Sequence, residues 1–179
     1  TTAPDLIDYY MPENGVFHNL IMAKIKTLYP GHASQMMHAF WGVGQMSFVK
    51  HAIFVNEDAP DLTNHQAVIK HILNRINVED MLISKGVVDA LDHSSPKFAV
   101  GGKLGLDCTG DEIEELGITL LDDEVLLSKM QNISSEIKAL KQYFLDTKNP
   151  ITVISVEKTR NQKYLFEEYA DFGRGHGHD

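Results

Sequence analysis

Between residues 16 and 86 the hydrophobic period of the sequence switches back and forth, and this switching restricts the fold more than any other feature. In 16–28, VFHNLIMAKIKTL, the residues Phe17, Ile21, Ala23 and Ile25 fall on one side of an extended chain, which predicts a strand. Pro30–Gly31 breaks it. In 32–45, Ala33, Met36, Met37, Phe40 and Trp41 recur at helical spacing, and Gly42 and Gly44 suit the end of a helix. HAIFVNED, 51–58, is a short apolar run closed by charge, as in a buried strand. Asp61 or Thr63 then offers an N-cap, and Val68, Ile69, Ile72, Leu73 and Ile76 line a second helical face. EDMLISKG, 79–86, reads as a third strand. The order β-α-β-α-β predicts a layered α/β domain, with a mostly parallel or mixed sheet flanked by helices.

The rest of the chain reads differently. Residues 89–111 form a long glycine-rich segment that breaks the alternation, and loops of such length are commonly functional. Its apolar residues Leu91, Phe98, Val100, Leu104 and Leu106 argue for order. A long amphipathic helix is predicted over about 122–146, with Val125, Leu126, Met130, Ile133, Ile137, Leu140 and Phe144 on one side. Asp122 to Glu124 sit at its N-terminus, where the helix dipole favours acids. ITVISVEK, 151–158, is a β-branched strand, and TRNQKYLFEEYADF a last helix. The expected organisation is an α/β domain over 1–111 and an extension over 112–179 packed on it. That extension is expected to be helical with one extra strand.

Composition excludes several classes. The chain has 179 residues and a formal net charge of −9, without a basic stripe, which argues against nucleic acid as a partner. No apolar run reaches the ~18 residues of a membrane span. A single cysteine, Cys108, forms no internal disulfide, which points to a reducing compartment and hence the cytoplasm. No signal peptide is recognisable. The abrupt opening, TTAPDLIDYYMPENG without an initiator methionine, suggests a processed chain or a piece of a longer one.

The segment DALDHSSPKFAVGGKLGLDCTG, 89–110, has the vocabulary of an active site. A triad of Asp92, His93 and Ser94 or Ser95 is disfavoured, because adjacent side chains on one segment rarely converge and no G-x-S-x-G elbow is present. His18, His32 and His38 do not make a metal site, since His32 and His38 fall on opposite helix faces and H-E-x-x-H is absent. The terminal His176 and His178 are a weak metal signal in a glycine-rich end. A dinucleotide fingerprint is missing after the first strand, where YPGHASQ has one glycine. Cys108 lacks a partner and reads as a small buried residue. The stripe MMHAFW reads as core or as an oligomer contact. Lys50, just before the second strand, reads as a solvated strand-end lysine or as a ligand for an anion. In GGKLGLD, the glycines 101, 102 and 105 permit close approach or positive φ. Lys103 and Asp107 there either bind a carboxylate or pair with one another at the surface.

These residues also carry a resemblance. The ordered series DYYMPENGVFHNLIMAKIKTLYPGHASQMMHAFWGVGQMSFVKHAIFVNED, NRINVEDMLIS, DALDHSSP and GGKLGLDCTG, over about 8–110, resembles the C-terminal part of the UbiD family. These are 3-octaprenyl-4-hydroxybenzoate carboxy-lyase-like enzymes that use prenylated FMN. The resemblance implies reversible, non-oxidative decarboxylation of an aromatic or α,β-unsaturated acid, with a loose association with quinone biosynthesis. It implies that an N-terminal cofactor-binding domain of the full-length chain carries the catalytic acid–arginine–acid network and most of the prenylated-FMN site. That domain would also hold a divalent metal and potassium. None of its motifs is in this chain, so no catalytic residue, metal ligand or bound cofactor is expected here. The family's C-terminal domain closes one side of the active-site cleft and builds the oligomer. DALDHSSP aligns with the segment lining the substrate pocket, so Leu91 and Asp89 are the substrate-binding candidates. Region 44–50 aligns with the place where some members set a lysine near the flavin phosphate. Gly44 or Gln45 stand at the nearest positions, and Lys50, several residues on, is the cofactor-binding candidate. After residue 110 the chain departs from the short family pattern.

Two readings follow. In the first, the chain is the C-terminal part of a UbiD-like carboxy-lyase acting on a small-molecule acid, inactive alone and a homo-oligomer when assembled. In the second, it is a free-standing α/β interaction or ligand-binding module without catalysis.

Overall fold

The computed structural model describes residues 3–13, 19–92, 95–114 and 120–157. Its main element is a five-stranded mixed sheet. Strands β1 (Leu6–Tyr10), β2 (Leu20–Ile25), β3 (His51–Asn56), β4 (Met81–Val87) and β5 (Val100–Cys108) lie in the order β1-β2-β3-β5-β4. β2, β3 and β5 run parallel, with Met22 opposite Ile53 and Ala52 opposite Gly105. The edge strands β1 and β4 run antiparallel to their neighbours. Helix α1 (His32–Gly42) covers one face, and α2 (His65–Leu73) covers the other.

Strand alternation sorts the core into two layers. Ile21, Ala23, Ile25, Ala52 and Phe54 face Met36, Met37 and Phe40 of α1. Met22, Val55 and Cys108 face Val68 and Ile72 of α2. The Met/aromatic stripe is therefore core. Asn64, rather than Asp61 or Thr63, caps α2, with its Oδ1 accepting from the Ala67 amide at 3.3 Å. Asp61 makes the turn before it, accepting from the Thr63 amide and hydroxyl.

The glycine-rich segment differs from its expectation as a loop. Its second half is β5, a strand paired on both sides between β3 and β4. The third predicted strand, β4, thus lies outside β5 and does not pair with β3. Glycine is disfavoured in strands, which is why the segment reads as a loop. The packing supplies the reason for it. A Cβ on Gly105 would lie 2.3 Å from Met37 Sδ, and one on Gly101 would lie 2.9 Å from Val88 Cγ1.

The long helix predicted over 122–146 ends early. Helix α3 (Asp123–Ile133) stops at Ser134, whose backbone is extended, and Ile137–Tyr143 is strand β6. It pairs antiparallel with β7 (Ile151–Val156) in a second, two-stranded sheet. A bulge between Ile137 and Ala139 puts Ile137 and Leu140 on one buried face. Apolar residues three apart on a bulged strand imitate helical spacing. The turn after β6 meets the end of α2: Asn149 Nδ2 donates to the carbonyls of Leu73 (3.0 Å) and Ile76 (3.1 Å), and the Lys148 amide to Asn74 Oδ1 (3.0 Å). The last predicted helix lies outside the described residues. So do His18, His93, Ser94, His176 and His178. Among the described residues no helix is long and apolar enough to cross a membrane.

Candidate functional site

The sequence-predicted site residues gather where β3 and β5 begin and β4 ends. Lys103 is the centre of this cluster and is 1% exposed. Its stem passes Gly86 on the neighbouring strand, where a Cβ would lie 3.3 Å from Lys103 Cε. The ammonium donates to the carbonyls of Ser47 (2.6 Å), Val49 (2.7 Å) and Val87 (2.6 Å). An ammonium has three donors, and all three are used. Burial pulls Lys103 down from the ordinary lysine range to about 8; Lys50 adds to this and Asp92 opposes it. The three carbonyl dipoles also oppose it, because they hold the charged form. The surface pairing with Asp107, one of the two alternatives the sequence left open, is not made. Asp107 instead accepts from the Thr109 amide (3.0 Å) and hydroxyl (2.7 Å).

Lys50 is buried as well, at 4% exposure, so the solvated strand-end reading does not hold. Its ammonium pairs with the Asp92 carboxylate. Lys50 is the residue before β3, and its carbonyl accepts from the Leu104 amide on β5 at 2.8 Å. His51 follows it, with Nδ1 3.1 Å from the Asn19 carbonyl. Burial holds His51 below the usual imidazole range; the Asn19 carbonyl works the other way, and Lys50 and Lys103 push it further down. Among the described residues, two ammonium groups therefore meet one carboxylate, beside a histidine whose pKa burial lowers. Among these described groups positive charge is in excess, in a chain whose net charge is −9.

The loop between β4 and β5 carries the other candidates. Asp89 Oδ1 accepts from the Leu91 amide at 2.8 Å, and the Asp92 amide donates to the Asp89 carbonyl at 3.0 Å. This turn leaves Leu91 79% exposed at the tip. Phe98 is equally open, just before Ala99, whose φ of 56° is a left-handed conformation that L-residues seldom adopt. The Val88 amide closes the base of the loop onto the Ala99 carbonyl at 3.2 Å. Asp92, the acid of the disfavoured triad, is committed to Lys50.

The remaining candidates have structural partners. His32 is buried at the start of α1, where Nδ1 accepts from the Leu28 amide at 3.3 Å and Nε2 lies 3.4 Å from Asp5 Oδ2. His38 is exposed on the same helix. Among the described residues no group of three His, Cys, Asp or Glu side chains is placed to hold a metal. Cys108 is fully buried, and burial, helped by Asp107, pushes its thiol up to about 12. Sequence reasoning missed the joining of Lys50, Asp92 and Lys103. The only signal in the sequence was a lone lysine among glycines within an apolar run.

Comparison with known proteins places the chain in a family. The model of the 3-octaprenyl-4-hydroxybenzoate carboxy-lyase C-terminal domain, UbiD_C, matches residues 1–108. A Helicobacter pylori (strain J99) protein is 63% identical over 158 residues, which is 88% of this chain and 26% of that protein. An Aquifex aeolicus protein is 38% identical over 113 residues, 63% of this chain and 23% of that protein. The chain thus spans about a quarter of the length of these relatives. Among solved structures, the UbiD-class enzyme HmfF from Pelotomaculum thermopropionicum, in complex with FMN, superposes with a TM-score of 0.54 at 22% identity. The match covers 68% of this chain and 28% of that one. Vanillic acid decarboxylase of Sedimentibacter hydroxybenzoicus gives 0.53 at 19% identity, covering 74% and 30%. At these identities the likeness shows the shared fold, a mixed sheet between helices. The chain belongs to the UbiD family and carries that family's C-terminal domain in residues 1–108.

Proposed function

We propose that this chain is the C-terminal part of a UbiD-class carboxy-lyase, which removes carbon dioxide non-oxidatively from an aromatic or unsaturated acid. The family match over residues 1–108 carries this reading. The relatives, about three times as long as this chain, support it over a free-standing binding module. The remainder of the full-length polypeptide would be the partner that holds prenylated FMN, a divalent metal and potassium. A homo-oligomer in the cytoplasm is part of the same proposal, as is a substrate drawn from quinone assembly. The extension 112–179 is taken to pack on the α/β domain, supported by the bonds from Asn149 and Lys148 to the end of α2.

When bound, prenylated FMN would supply the electron sink for decarboxylation. This chain would supply one wall and one charge. The surplus positive charge at Lys50, Lys103 and Asp92 suits an anion such as a flavin phosphate, with Lys50 as the contact. Leu91, held outward by the Asp89 turn, would lie against the substrate ring, with Asp89 beside it. A dry apolar wall favours loss of a carboxylate charge.

The test uses the full-length protein reconstituted with prenylated FMN and offered a panel of aromatic and unsaturated acids. Carbon dioxide release is expected from the full-length protein and none from residues 1–179 alone. Turnover by the isolated chain, or none by the full-length protein across the panel, overturns the reading.

A further inference from the structure

We propose that Lys103 is a positioning residue: its ammonium, bound to the carbonyls of Ser47, Val49 and Val87, fixes Lys50 relative to Asp92 and thereby sets the anion site at Lys50. The inference rests on the reading of Lys50 as the contact for a flavin phosphate.

The three acceptors come from three separate segments. Ser47 lies in the 3-10 turn Gly44–Phe48 that follows α1. Val49 O belongs to the peptide that joins Val49 to Lys50, so Lys103 grips the chain immediately before Lys50. The Leu104 amide grips it immediately after, at the Lys50 carbonyl. Val87 O is the end of β4, from which the loop with Asp92 departs. One side chain and the amide after it thus fix both the lysine and the root of the loop that carries its carboxylate.

The packing leaves this cation little freedom. Gly86 gives room for the Lys103 stem, and Gly101 gives room for Val88 and for Lys50, whose Cε lies 3.6 Å from the position a Cβ would take. Without an ammonium the three carbonyls would lose this donor, which is most costly at the buried Val49 carbonyl and less so at the half-buried ones of Ser47 and Val87. Among the described residues, the charged groups facing it are Lys50 and Asp92, with His51 beside them. A group drawn down to about 8 still keeps its proton at neutral pH, so all three bonds persist there.

The experiment measures FMN binding by the full-length protein at pH 7, well below each variant's melting temperature. The variants are Lys103→Met, Lys50→Met and the double substitution. Each single change is expected to raise the Kd for FMN about tenfold, and the double to match Lys50→Met alone, because residues acting through one contact are not additive. A merely structural role would weaken binding by the same factor in both backgrounds, so effects that multiply to about a hundredfold overturn the inference. So does an unchanged Kd for Lys103→Met where Lys50→Met weakens binding. An unchanged Kd for Lys50→Met removes the phosphate reading, and this inference with it. Where Lys103→Met does not fold, Lys103→Gln keeps two donors without the charge and is judged by the same outcomes.

Discussion

Substituting Gly105 by alanine tests the placement of β5 in the centre of the sheet. The added Cβ would lie 2.3 Å from Met37 Sδ, 3.0 Å from its Cε and 3.1 Å from its Cγ. Met37 is fully buried, in a cluster with Ile21, Ala52 and Phe54. A thioether chain yields more easily than backbone, but here three of its atoms are in the way and the cluster around it is closed. Overpacking of this kind costs about 1–3 kcal/mol. For a protein of this size that is a fall in Tm of roughly 2–12 °C. Met37→Ala alone creates a cavity and costs about 2–5 kcal/mol. In the double variant the new methyl enters that cavity, so the two losses should not add and the double should be more stable than their sum by about 1 kcal/mol or more. Differential scanning calorimetry of the four proteins reads this cycle. A Gly105→Ala loss below about 0.5 kcal/mol, or simple additivity with Met37→Ala, refutes the argument that glycine is there for the helix above it.

Three further outcomes are expected. Asn149→Ala removes the donor to the Leu73 and Ile76 carbonyls, and should lower hydrogen-exchange protection in β6 and β7 by about 1–2 kcal/mol while β2 and β3 stay unchanged; unaltered protection would show that the turn is held otherwise. Cys108, buried and raised to about 12, should resist a thiol reagent at pH 8 in the native protein and react at once in urea; rapid native labelling would contradict its burial. Lys103 titrates at about 8 when folded and near 10.5 when unfolded, so the unfolded chain holds more protons between these values. Stability relative to Lys103→Met should therefore rise with pH across that window, by at most about 1.4 kcal/mol per unit, because the carbonyl bonds oppose the shift; a flat difference would show that those bonds cancel it.

Local pattern carried the reading as far as β4. Strand β2 and helices α1 and α2 announce themselves by a period of apolar residues, and β3 by a continuous apolar run, because β3 is covered on both faces by the two helices. β1 gave no such signal: its central residues Ile7, Asp8 and Tyr9 are exposed, and the strand is held by its ladder to β2. β5 read as a loop because propensity counts glycine against a strand, whereas Gly101 and Gly105 answer to Val88 and Met37, far from them in sequence. β6 read as helix because its bulge places apolar residues at the wrong interval for a strand.

For the site, the sequence by itself determined the segments: Lys50 at the head of one strand, the acidic loop 89–92 and a lysine among glycines, in an order that resembles one family. What each lysine does was decided only by the tertiary structure. Lys103 finds its acceptors 56, 54 and 16 residues away, and every one is a backbone carbonyl. All residues carry that group, so no residue type in the sequence marks it as an acceptor, and only the folded path of the chain brings three of them to one ammonium.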